Sequence, residues 1–106
     1  MLDAPDLFRT LADPTRRGLF ERLAQAESLS VRSLTEGSAV SQPAVSQHLK
    51  VLREAGLVAE TKVGRNVLYR VEPRGLAPLI DWMSLYAVFW RERFDRLEDL
   101  LNRMDQ

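Results

Sequence analysis

The chain has 106 residues, 45% hydrophobic and 28% charged, with fifteen basic and fifteen acidic side chains and a net charge of zero. This is the length of one domain and the composition of a soluble globular protein. There is no run of about eighteen apolar residues, so no membrane-spanning helix is expected, and there is no cysteine, which excludes disulfides, thiolate metal sites and thiol redox sensing.

The charge is unevenly spread. Residues 1–40 carry five basic against six acidic groups, residues 41–74 six against three, and residues 75–106 four against six. The positive excess lies mid-chain, where a polyanion would be met. The N-terminus, MLDAPDLF, has neither a basic nor a long apolar region, so no signal peptide is expected and the cytoplasm is the expected location.

Residues 5–12, PDLFRTLA, predict a short helix with Leu7, Phe8 and Leu11 on one face. Asp13 and Pro14 restart the chain as N-cap and first helical residue. The second helix runs to about Ala26 with Leu19, Phe20 and Leu23 inward. Gly18 inside it costs up to ~1 kcal/mol against Ala, which close helix packing would explain. Leu29-Ser30 opens a third, short helix, capped by Ser30 and ended by Gly37, with Val31 and Leu34 as its apolar contacts.

Ser41 to Gly56, SQPAVSQHLKVLREAG, is a helix with both ends written out. Ser41 is the N-cap, Pro43 sits in the first turn, and Gly56 follows the last periodic residue. Val45, Leu49 and Leu52 make one apolar face. The other face holds Gln42, Ser46, Gln47, Lys50 and Arg53, with no acidic residue before Glu54. Glutamine can read an adenine edge, and lysine and arginine can meet phosphates or guanine. Short helix, glycine-containing turn and capped second helix match a helix-turn-helix; a plain pair of antiparallel helices is the alternative.

After Gly56 the period changes from 3.6 to 2. Residues 57–63 and 66–71 are rich in β-formers and predict a hairpin with Gly64-Arg65 at its tip. Behind a helix-turn-helix such a hairpin is a wing, whose arginine reaches phosphates or a minor groove. Otherwise Arg65 is an exposed loop residue without a partner.

A final helix is predicted from Leu76 to Met104. Leu76, Ile80, Met83, Ala87, Trp90, Phe94, Leu97, Leu101 and Met104 recur at alternating spacings of four and three, a heptad seam. A second stripe of Leu79, Trp82, Tyr86 and Phe89 flanks its first half. The two-sided half is expected between its own domain and a second subunit, with a ligand pocket as the alternative for the aromatic cluster.

These residues resemble the ArsR family of winged-helix bacterial transcriptional repressors over nearly the whole length. The resemblance is carried by LADPTRR (11–17), SQPAVSQHLKVLREAGLV (41–58), KVGRNVLYRV (62–71) and the long last helix. It implies a mainly α fold with a small β-hairpin: one winged helix-turn-helix domain over 1–106, with five helices and a two-stranded wing. It makes the Ser41 helix the recognition helix, with the family's base-contacting positions falling on Gln42, Pro43, Ser46 and Gln47. It also implies a dimer interface between the first and last helices, about 5–12 and 76–104, here through Leu7, Leu11, Met83, Trp90, Phe94, Leu97 and Leu101.

Many members of that family sense metals, and here the chain departs from their pattern. Where one type has a Cys-x-Cys-like element, this chain has Ser33-Leu34-Thr35-Glu36-Gly37. Another type places His and Asp pairs on the last helix, and residues 76–106 contain no histidine. Asp81 reads as a solvated or capping carboxylate. A member of the non-metal-sensing type, with no cofactor, is expected; the small-molecule effector is left open.

The single histidine, His48, is expected to pack or to contact a phosphate, since one His and no Cys cannot assemble a nucleophile, base and orienter. No glycine-rich phosphate loop is present, so no enzyme is expected. The expected function is a homodimeric DNA-binding repressor on a palindromic promoter site. Ser41, Gln42, Pro43, Ser46, Gln47, Lys50, Arg53 and Arg65 would carry the contact to double-stranded DNA. The alternative is a winged-helix module that binds protein only; the polar face of 42–53, which lacks aromatic or aliphatic anchors, argues against it.

Overall fold

The computed structural model describes residues 3–105. Met1 and Leu2, which begin the segment read as carrying no signal peptide, and Gln106 lie outside the described residues. The elements in chain order are α1 (Ala4–Ala12), α2 (Pro14–Ala24), β1 (Leu29–Ser30), α3 (Val31–Glu36), α4 (Gln42–Glu54), β2 (Val58–Val63) and β3 (Asn66–Val71), then a 3₁₀ turn (Pro73–Leu76), α5 (Ala77–Ser84) and α6 (Ala87–Met104).

The first four helices start on a side chain that accepts an orphan backbone N–H. Asp3 accepts from Asp6 at 3.1 Å, Asp13 from Arg16 at 2.8 Å, Ser30 from Ser33 at 3.0 Å and Ser41 from Ala44 at 3.4 Å. The end of α4 is a complete Schellman motif. Gly56 is left-handed, with φ 78°, its N–H donates to the Arg53 carbonyl, and the Leu57 N–H donates to Leu52. Leu52 and Leu57 are both fully buried, so the turn that ends the helix is also part of the core.

The core lies between α1, α2, α3, α4, the sheet and the start of α5. Its fully enclosed side chains include Leu7, Leu23, Leu34, Val45, Leu49 and Leu52. The turn after the wing returns to α4, where a Cβ at Gly75 would overlap the Gly56 carbonyl; only glycine lets these backbones meet. A Cβ at Gly18 would meet nothing within 4 Å, so close packing does not explain that residue.

Three expectations are corrected. The sheet has three antiparallel strands in the order β1-β3-β2, because Leu29 and Ser30 pair with Tyr69 and Leu68 before the chain turns into α3. The described residues form six α-helices, not five, because the last helix breaks at Leu85-Tyr86. There the Ser84 hydroxyl donates to the Ile80 carbonyl at 2.8 Å, and the backbone tightens to i→i+3 bonds from Leu85 and Tyr86. The apolar spacing runs across the break, which is why the periodicity did not reveal it. Finally, Leu7 does not face outward: it is 1% exposed, held in the chain's own core, while Phe8 lies edge-on to Trp82 at 5.1 Å.

α5 packs against α1 and buries Leu79. α6 buries no residue. It projects from the domain, and the molecule measures 64 × 30 × 22 Å.

Candidate nucleic-acid interface

α4 turns Val45, Leu49 and Leu52 into the core, which leaves Ser41, Gln42, Pro43, Ser46, Gln47 and Lys50 exposed on the opposite side. The 3.6-residue period fixes this division: Gln42 and Ser46 are four apart and share a ridge, with Gln47 beside them. Helical spacing sets which of these residues share the face. What the fold supplies is their neighbours.

Those neighbours come from α3 and the wing. Gln42 and Ser46 face Arg65 and Asn66 of the hairpin, and Ser30 and Arg32 at the start of α3, across one open cleft. The hairpin closes through Gly64, φ 63°, and Arg65, between the paired residues Val63 and Asn66. A left-handed first turn residue is what a two-residue hairpin loop demands. Residues 61–66 are all exposed, so the wing tip stands clear of the domain. Among the described residues Lys50, Lys62 and Arg65 make no ion pair, so their charges are open to phosphates.

Arg53 is exposed on the same helix but is paired within the chain. Its Nη1 lies 2.6 Å from Glu60 Oε1 on β2, and the Tyr69 hydroxyl on β3 donates to Glu60 Oε2 at 2.9 Å. Burial, and then the bond to Glu60, push the Tyr69 phenol above its ordinary pKa. His48 takes the packing role: it is half-buried, with Nδ1 4.0 Å from Asp13 Oδ2 at the start of α2. The N–H donated by Arg16 holds the Asp13 carboxyl below its ordinary pKa, against the opposing effect of burial and with help from the His48 charge.

Sequence reasoning missed several residues that build this surface. Arg22 donates to the carbonyls of Leu34 at 2.8 Å and Ser33 at 3.1 Å, satisfying the C-terminal end of α3 and fixing it to α2. A Cβ at Gly37 would collide with that guanidinium, so the glycine that ends α3 is also the seat of Arg22. No periodicity signals such a contact between residues twelve apart. Arg32 and Asn66 were missed although each lies inside a predicted element, because only the apolar contacts of the third helix and the tip arginine of the hairpin were singled out. Arg32 lies 3.3 Å from Glu36 across an exposed helical turn, which leaves it free to exchange partners.

At the α5–α6 break, Trp82, Met83, Tyr86, Phe89 and Trp90 line an apolar hollow. Arg93 stacks over the Phe89 ring at 4.2 Å. Met83, Trp90, Phe94, Leu97 and Leu101 are each at least half exposed, and Leu11 is partly buried against the core.

Known proteins place this architecture. A family model for a helix-turn-helix domain matches residues 11–61. The chain is 48% identical over 77 residues to the HTH-type transcriptional regulator Rv2034 of Mycobacterium tuberculosis, across 72% of this chain and 71% of that one. It is 41% identical over 81 residues to the HTH-type transcriptional repressor SmtB of the same organism, across 76% of this chain and 59% of that longer protein. Among solved structures, the ArsR-like transcriptional regulator from Rhodococcus superposes with a TM-score of 0.69 at 29% identity, covering 91% of this chain and 90% of that one. The chain belongs to the ArsR family of winged helix-turn-helix transcriptional regulators, which act by binding DNA and are not enzymes.

Proposed function

We propose that the protein is a homodimeric repressor that occupies an imperfect palindrome in a promoter. In this reading α4 enters the major groove. Gln42, Pro43, Ser46 and Gln47 meet base edges. Ser41, Lys50 and Arg65 hold the backbone or an adjacent minor groove. The observation that carries the dimer is the bareness of α6, whose eighteen residues bury nothing in their own subunit. Trp90, Phe94, Leu97 and Leu101 form a stripe on it, between 50% and 65% exposed. Soluble monomers rarely leave an apolar patch beyond a few hundred Å² open to water.

A two-fold pairing of α5 and α6 with those of a second copy would cover Met83, Trp90, Phe94, Leu97 and Leu101. Arg91 and Glu98 each follow a seam residue at the same heptad position, on either side of the middle of the stripe, so an antiparallel pairing sets this unlike pair together. Leu7 has no part in this interface, being enclosed within its own subunit. Sedimentation at micromolar concentration together with selection of duplexes from random DNA tests the reading. A dimer and a two-fold-symmetric selected site are expected; a folded monomer, or a selected site without symmetry, would overturn it.

The signal that releases DNA is not a thiophilic metal in this reading. Soft metals want thiolates and zinc wants His or Cys; the chain has no cysteine and one histidine, which is held against Asp13. Calorimetry with zinc should show no stoichiometric tight binding, and micromolar zinc should leave a gel shift unchanged. Tight binding of one zinc per subunit would refute this.

A further inference from the structure

Glu60 is an oddity on a surface that meets a polyanion. It is half-buried on β2, at the foot of the wing, and carries a negative charge to the flank of α4. It also occupies Arg53, which would otherwise be a free cation on the recognition helix. A surface built for affinity alone would have neither feature, because a free arginine that neutralises a phosphate strengthens binding to any duplex.

The geometry explains it differently. The two carboxylate oxygens are divided between two elements: Oε1 accepts from Arg53 on the last turn of α4, and Oε2 accepts from Tyr69 on β3. Glu60 and Tyr69 are also direct cross-strand partners. One carboxylate therefore ties the end of the helix to both strands of the hairpin. The covalent link between α4 and β2 is only Ala55, Gly56 and Leu57, and beyond Glu60 every residue of the wing to Asn66 is exposed. Leu57 and Val58 are enclosed in the core and β3 is paired with β1, so the base of the hairpin is fixed; beyond Glu60 the outer hairpin has little packing of its own to resist bending away from α4. Hydrogen bonds to a charged group are shorter and roughly twice as strong as neutral ones, which suits a brace at a partly wet site.

We propose that Glu60 and Tyr69 are positioning residues: they fix the wing at one angle to the recognition helix, so that Arg65 and the α4 face meet one duplex together. The proposal rests on the DNA-binding reading. Its signature is specificity without affinity. A correctly spaced site benefits from a rigid pair of contacts, since the ordering cost is met before binding. Random DNA does not benefit, because there the contacts are independent.

Two variants separate a brace from a mere charge. Tyr69→Phe keeps the buried ring and the net charge and removes one arm. Glu60→Gln keeps the shape, removes the ion pair and frees Arg53. Each is compared with the parent on a duplex selected by the parent from random DNA and on a scrambled duplex of equal length, with thermal melts run alongside. The ratio of the two affinities should fall about tenfold in both variants, the change a single charge-assisted hydrogen bond can produce. In Glu60→Gln the scrambled duplex should also bind more tightly than to the parent, while the selected duplex binds more weakly. If folded Tyr69→Phe keeps the parent ratio, or if Glu60→Gln tightens both duplexes by one factor, the brace is refuted and Glu60 is only a charge. Should Tyr69→Phe fail to fold, the Glu60→Gln ratio alone decides. A parent that binds no duplex would overturn the DNA reading and this inference with it, an outcome distinct from a parent that binds and variants that match it.

Discussion

Arg65 stands at the tip of a hairpin whose outer residues are all exposed, and it has no ion-pair partner among the described residues. On the proposed reading, its part in binding is charge and reach. Arg65→Ala should weaken binding to selected and scrambled duplexes by a similar factor and lower the salt slope by about one. Unchanged affinity at physiological salt would show that the wing does not touch DNA. Gln42 and Gln47 differ in kind, being neutral and able to pair two atoms with a base edge. Each good bidentate contact is worth about 1–3 kcal/mol of discrimination. The Gln42→Ala, Gln47→Ala double variant should keep most of its affinity for random DNA and lose preference at one or two base pairs per half-site, read from a second selection. These residues were legible in the sequence because helical spacing alone puts them opposite Val45, Leu49 and Leu52. Glu60 was not, since its role depends on a cross-strand register and on the place where α4 ends, neither of which a local pattern contains.

At the scale of elements, legibility followed the caps. α2, α3 and α4 begin on Asp13, Ser30 and Ser41, the residues whose side chains could accept the orphan N–H groups. The wing also formed where alternation and Gly64 put it. Two features escaped for the same reason. Leu29-Ser30 is too short to alternate, so its pairing with β3 is invisible until β3 is in place. The α5–α6 break is written by a Ser84 hydroxyl bond to Ile80, a competition for one carbonyl that the apolar spacing does not record.

Glycine gives a matched test at this scale. At Gly75 an added methyl would run into the Gly56 backbone, so Gly75→Ala should destabilise by about 1–3 kcal/mol, the usual cost of overpacking. That lowers the melting temperature by roughly 5–20 °C for a domain of this size. At Gly18, mid-helix and facing open space, Gly18→Ala should stabilise by up to about 1 kcal/mol. Thermal melts of the two variants should move in opposite directions; a Gly75→Ala melt that does not fall would show that the turn after the wing does not pack on α4 as described, and a Gly18→Ala melt that falls would show that Gly18 does not face open space.

For the whole molecule the decisive fact is its shape. The radius of gyration is 18.5 Å, against about 13 Å for a compact chain of 100 residues. The excess is α6, standing out from the domain with an aromatic and aliphatic stripe in water. Two classes of apolar side chain follow, and their variants should fail differently. Leu7 and Leu49 are enclosed within one subunit, so alanine there should cost about 2–5 kcal/mol of folding stability and lower the melt with no selective effect on assembly. Trp90 and Phe94 are 55% and 65% exposed in the single chain. On the proposed reading, their burial and the energy it releases belong to the pairing of two chains. Changing both to Ala should leave a folded subunit, with near-native far-ultraviolet circular dichroism, that sediments as a monomer at concentrations where the parent is a dimer. Without the two-fold, the recognition helices are no longer held one DNA turn, roughly 34 Å, apart. The monomer should therefore bind a half-site weakly and lose the advantage that the full palindrome gives the parent. A double variant that still sediments as a dimer and binds the palindrome like the parent would place the interface elsewhere, and the bare stripe on α6 would then need another partner.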